Sequence, residues 1–101
     1  MLDAGETVAS FLVGRTRRDL DDDRMLLFAV LRAIEVLGEA ANRVSEATRA
    51  AHPEIPWASA VAMRNRLIHG YFDVDGNVVW TTATQELPGL VDRLRAMLRE
   101  A

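Results

Sequence analysis

Residues Met63-Arg64-Asn65-Arg66-Leu67-Ile68-His69-Gly70-Tyr71-Phe72 bring two arginines, a carboxamide, a histidine and a tyrosine into ten consecutive positions. Such a set can handle a phosphodiester. Arginine holds an anion through a planar fork of donors, and histidine exchanges protons near neutrality because its unperturbed pKa is about 6.5. The chain has no cysteine, which excludes disulfides and metal-thiolate or thiol chemistry. With only two histidines, His52 and His69, a His-rich metal site is not expected either.

If this stretch is helical, successive residues turn by about 100°. Asn65 and His69 then differ by about 40° and share a face, with Arg66 beside His69. Arg64 lies about 140° from His69, so the two are poorly cofacial within one helix. Arg64 and Tyr71 fall within about 20° of one another if the helix persists past Gly70. Met63, Leu67 and Ile68 are left to face a core. The polar groups are expected to form one broad wall.

The elements that position this wall read as helices. The first is expected over 2–13, with Val8, Phe11 and Leu12 as its apolar side and Gly14 as its stop. A connector of Arg15, Arg17 and Arg18, then Asp19, Asp21, Asp22 and Asp23, follows, and the aspartates suit a helix N-terminus. The spacing predicts a long helix over 22–50. Leu27, Ile34 and Ala41 recur every seven residues, as do Val30, Leu37 and Val44. The stripe is wider than one partner needs, with Leu26, Ala33 and Ala40 on one flank and Leu31 and Gly38 on the other. Two readings fit: a helix buried centrally in one subunit, or a seam for a second copy. His52-Pro53-Glu54-Ile55-Pro56 breaks the pattern. A helix over 57–69 follows, with Gly70 as its cap. After a turn at 73–77, a short helix is expected over 78–86. A final amphipathic helix carries Leu87, Leu90, Val91, Leu94, Met97 and Leu98, with Pro88 starting it or kinking a longer one. The expected fold is all-α, an antiparallel up-and-down bundle of four to five helices with short connections.

The chain has 101 residues, the length of one domain, so a single domain over 1–101 is expected. No apolar run approaches a membrane span and no signal-peptide layout is present, so the cytoplasm is the expected location. The net charge of −3 argues against a general, charge-driven coat on nucleic acid. It leaves room for a local basic cleft, since all the basic residues are arginine. The same arginine usage also fits plain genomic base composition.

Arg64, four residues, His69, one residue, then Tyr71 resembles the Arg-x4-His-x-Tyr motif of HepT-like proteins of the HEPN superfamily. The segments 35–45, Pro53-Glu-Ile-Pro-Trp57, 63–72, Val79-Trp80 and Leu87-Pro88 resemble that family in order and spacing, and cover nearly the whole chain. Only the first helix looks short. The resemblance implies a homodimeric HEPN-like bundle whose two motifs line one interfacial cleft. It implies a metal-independent endoribonuclease, the toxin of a type VII toxin–antitoxin pair, with RNA as substrate and no cofactor or metal. It also implies a partner: an MntA-type nucleotidyltransferase antitoxin that attaches AMP to the motif tyrosine, here Tyr71. The catalytic residues carried over are Arg64 and His69. Asn65, Arg66 and Tyr71 would support them or bind RNA.

The chemistry agrees. RNA is cut without metal when its 2′-hydroxyl attacks the adjacent phosphorus, with one group taking the hydroxyl proton and another protonating the leaving oxygen. Two copies of His69 could supply both, and Arg64 would stabilise charge on the phosphoryl oxygens. Asn65 could orient His69 or bind phosphate or sugar. Arg66 could grip RNA or pair with an acid such as Glu35 or Glu39. Tyr71 could stack on a base, and AMP there would repel RNA by bulk and charge. Simpler roles compete: ion pairs for the arginines, a helix cap for His69, packing for Tyr71, Trp57 and Trp80, a solvated edge for Glu35 and Glu39, and an exposed loop for His52. The alternative function is a non-catalytic adaptor for a nucleotidyltransferase.

Overall fold

In the computed structural model, which describes residues 1–67 and 74–100, the chain is all-α. The helices are α1 (Leu2–Phe11), α2 (Asp19–Asp22), α3 (Arg24–Asn42), α4 (Glu46–Ala51), α5 (Trp57–Leu67), α6 (Gly76–Thr81) and α7 (Leu87–Glu100). A π-helical turn, Thr82–Glu86, joins α6 to α7 without a break. Four long rods therefore make the bundle: α1, α3, α5 and the composite rod of α6 and α7.

Local chemistry sets the ends. The backbone of Gly14 has φ of +73°, the left-handed region that glycine enters without strain, and α1 stops short of it at Phe11. Phe11 itself is exposed rather than part of the core face. The aspartate reading holds at α3, where Asp23 accepts from the Leu26 amide at 3.1 Å. Asp75 does the same for α6, accepting from the Asn77 and Val78 amides. That helix begins at Gly76 and not at Val78, and α2 occupies part of the connector.

The expected helix over 22–50 is corrected: it breaks at 43–45. Ser45 caps α4 by accepting from the Thr48 amide at 3.1 Å. Arg49 reaches back, donating to the Ala41 carbonyl at 2.8 Å and the Val44 carbonyl at 3.2 Å. A serine cap for one helix and a cationic cap for the other satisfy the groups that continuation would have satisfied. Trp57 closes the 52–56 knee by donating from Nε1 to the His52 carbonyl at 3.0 Å.

α3 is the axis of the core. Val30, Ile34, Leu37 and Ala41 are fully buried, with Val8 of α1, Ala60 of α5 and Val79 of α6 buried around them. Leu26, Ala33 and Gly38 of the wide stripe are buried within the chain, while Leu31 and Ala40 are half-buried. Leu37 lies at α1, where its Cδ1 is 3.7 Å from the position a Cβ on Gly5 would take, and Gly38 lies against α5. The central-helix reading accounts for the buried part of the stripe. Met25, Phe28 and Val36 stand apart, 84%, 53% and 41% exposed on the opposite face of α3. No helix among the described residues is long and apolar enough to cross a membrane.

Pro88 sits second in α7, just after the π turn. Proline has no N–H to give and its ring crowds the carbonyl four residues back. The wider turn accommodates it, and the Thr84 hydroxyl donates to the Trp80 carbonyl at 2.7 Å.

Two substitutions separate core from cap. Leu37→Ala, which empties a fully buried site, is expected to cost about 3 kcal/mol. Ser45→Ala is expected to cost about 1 kcal/mol. Denaturant unfolding followed by far-UV circular dichroism measures both.

Candidate active site

The last turn of α5 carries Arg64, Asn65 and Arg66, all exposed, between the buried Met63 and Leu67. Alanines at 58, 60 and 62 favour this helix, and Met63 and Leu67, four apart, seat its apolar side. His69, Gly70 and Tyr71 lie outside the described residues, and so does the contact of His69 with any other group of the motif.

Gly38 fixes how α5 meets α3. A Cβ there would stand 3.4 Å from the Ala60 carbonyl oxygen, 3.5 Å from that of Val61 and 3.9 Å from the Arg64 Cβ. The two helices thus touch through backbone, and any side chain larger than a methyl would part them. They run antiparallel: Gly38 faces residues 60–64, while Glu35, one turn earlier on α3, reaches Arg64.

Arg64 Nε lies 3.6 Å from Glu35 Oε1, and Glu35 also lies 3.6 Å from Arg32. An ion pair this exposed is worth roughly 0–1 kcal/mol, so its effect is to aim Arg64 more than to stabilise the fold. Glu35 itself lies at the edge of the outer face of α3. There a groove of about 560 Å³ is lined by Arg32, Glu35, Val36, Glu39, Ala40 and Arg43. Glu39 pairs with Arg43 at 4.0 Å, and among the described residues not with Arg64 or Arg66.

Arg66 goes elsewhere. Its two terminal nitrogens donate to the two carboxylate oxygens of Glu86, each at 3.1 Å. Of the two acids weighed as partners of the arginines, Glu35 pairs with Arg64, while the partner of Arg66 is corrected to Glu86, on the π turn. The single broad wall is corrected too. Two helical positions are about 200° of rotation, so Arg64 is directed to α3 and Arg66 to the opposite side. Glu86 carried no signal in the sequence, because nothing local marks a partner twenty residues away. Asn65, between the two arginines, is exposed.

His52, the second histidine, is half-buried in the 52–56 knee, with Nδ1 3.1 Å from Glu54 Oε1. A backbone N–H and then His52 hold the Glu54 carboxyl below its ordinary pKa. This pair belongs to the knee.

Comparison with known proteins agrees with this architecture. Residues 1–97 match the family model described as HepT-like, ribonuclease HepT-like. A protein of Thermococcus cleftensis named "Probable ribonuclease HepT" is 44% identical over 68 residues, 67% of this chain and 62% of that one. A "Putative RNase" of Caldanaerobacter subterraneus subsp. tengcongensis is 32% identical over 89% of this chain and 84% of its own length. Another of that name from Methanocaldococcus jannaschii is 29% identical over 99% and 83%. The chain thus spans less than two thirds of the Thermococcus protein and most of the other two. No solved structure matches. With a whole-chain family match on an all-α bundle that presents Arg64 at the end of α5, the chain belongs to the HepT-like ribonuclease family.

Proposed function

We propose that this protein is a metal-independent endoribonuclease, the toxin of a type VII toxin–antitoxin pair, and that Arg64 and His69 carry the cleavage. The observation that supports this most directly is Arg64 itself. Within a whole-chain family match, its exposed guanidinium pairs with Glu35, which lines the groove on the outer face of α3. The 2′-hydroxyl of the substrate attacks the neighbouring phosphorus. The 2′-O–P bond forms and the P–O5′ bond breaks. One His69 takes the 2′ proton and the His69 of a second copy protonates the departing 5′ oxygen. Arg64 neutralises charge on the non-bridging oxygens. Asn65 orients His69 or contacts sugar and phosphate, and Tyr71 stacks on a base.

Two copies are required by this scheme, and the outer face of α3 is the seam proposed for them. Met25, Phe28 and Val36 form an apolar stripe there, interleaved with charges of both signs at Arg32, Glu35, Glu39 and Arg43. Because Glu35, the partner of Arg64, lines the same face, pairing along it would place two motifs in one cleft. Arg66, held on the other side by Glu86, is left out of the RNA-contacting set.

The test is cleavage of a single-stranded RNA in EDTA. Wild type is expected to cut, and His69→Ala and Arg64→Ala to lose about a hundredfold or more in rate. Equal cutting by all three would sink the assignment. A stable complex with a nucleotidyltransferase, without cutting and without His69-dependent toxicity, would indicate the adaptor instead.

Control by an MntA-type nucleotidyltransferase antitoxin is proposed through AMP on Tyr71, which would set bulk and negative charge in the cleft. After co-expression with such a partner and supply of ATP, intact-mass measurement is expected to show added AMP on wild type and none on Tyr71→Phe. Unmodified wild type beside an active partner would remove this mode of control.

A further inference from the structure

The pairing of Arg66 with Glu86 is bidentate, the geometry that fixes orientation as well as distance. It joins α5 to the π turn and so closes, across twenty residues, the stretch of sequence that contains His69 and Tyr71. On the opposite side of the same helical turn, Glu35 holds Arg64. Carboxylates from two different elements thus grip two arginines about 200° apart on one helix. The buried Leu67 sets how deep the end of α5 sits. Ala60 and Met63 are buried with it, and the two ion pairs hold the side chains that leave the helix end on either side.

The π turn has a part in this. Such turns are rare and recur at functional sites. This one ends on Glu86, so the widened turn decides the direction in which that carboxylate leaves the rod. Grooves of about 230 and 290 Å³ lie on the two sides of the pair, each lined by both Arg66 and Glu86. The pair therefore stands between two open spaces.

We propose that Glu86 is a positioning residue of this ribonuclease, acting through Arg66 to fix the rotation of the helix end that presents Arg64 and leads into the His69 segment. It rests on the ribonuclease reading above. Arg66 is here a structural arm and not an RNA contact.

The experiment compares wild type, Glu86→Ala, Arg66→Glu and the charge-exchanged double variant Arg66→Glu with Glu86→Arg. RNA cleavage kinetics, thermal unfolding and the ring NMR signals of the two histidines are recorded for each. Each single variant is expected to lose about tenfold in kcat with KM moved by less than about twofold. The pair is half-exposed, so thermal unfolding is expected to shift little. The exchanged variant is expected to regain most of the loss. The His69 ring signals should move in the single variants while those of His52 stay. Wild-type kcat and unmoved His69 signals in Glu86→Ala would overturn the proposal. So would a raised KM in Arg66→Glu together with a lowered KM in Glu86→Ala and no recovery in the exchanged variant, the pattern of an arginine that binds RNA. A wild type that cuts no RNA would remove the ribonuclease reading alone, because the His69 signals still decide whether Glu86 positions the segment.

Discussion

The backbone contact of α3 with α5 at Gly38 is the constraint on which the rest depends. It lets α5 lie close to the core axis, so that Met63 and Leu67 are buried while the arginines beside them stay in solvent. It also brings the last turn of α5 within reach of Glu35. A larger residue at that position would lever α5 outward, and the aim of Arg64 would change before the fold was lost. Stability and site geometry meet in one glycine, which is why a small interior residue counts here as much as the charged ones.

The arginines of the motif then divide the work. Neither ion pair is strong, since both are half in water. Their value is directional. On the positioning role proposed above, α5, held from α3 on one side and from the π turn on the other, would present its end in one orientation. A catalytic group needs that more than it needs binding energy, because misplacement by an ångström is costly in rate.

Much of this was legible in the sequence. The heptad-like recurrence on α3 located the core axis, and the aspartate run that ends at Asp23 marked the start of that helix, whereas α1 ends at Phe11, short of the Gly14 expected to stop it. The motif and its flanking segments named the family, which the whole-chain match bears out. What was missed has physical reasons. The break at 43–45 was hidden because alanine-rich flanks favour helix on both sides. It is made by Ser45 and by Arg49 reaching back to carbonyls five and eight residues away. The wide stripe left open a central helix or a subunit seam; much of it is buried within the chain, and the most exposed apolar residues of α3 lie opposite, at Met25, Phe28 and Val36. Arg66 with Glu86 is a long-range pair, and periodicity within one helix says nothing about the neighbour opposite it. His69 and Tyr71, the most chemically suggestive residues, fall in 68–73, outside the described residues.

A π turn is an α-helix carrying one surplus residue. The rod from Gly76 to Glu100 therefore stores an insertion in its middle, where it costs a turn of ideal hydrogen bonding and nothing in continuity. Deleting one residue between Thr82 and Glu86 would restore a regular helix and turn its two halves against each other by about 100°. Either the α6 half or the buried row of Leu87, Leu90 and Leu94 would then face the wrong way. Chain length in this rod is thus under as firm a constraint as residue identity, and a lineage that lost the extra residue would have to repack one end of the bundle to keep the other.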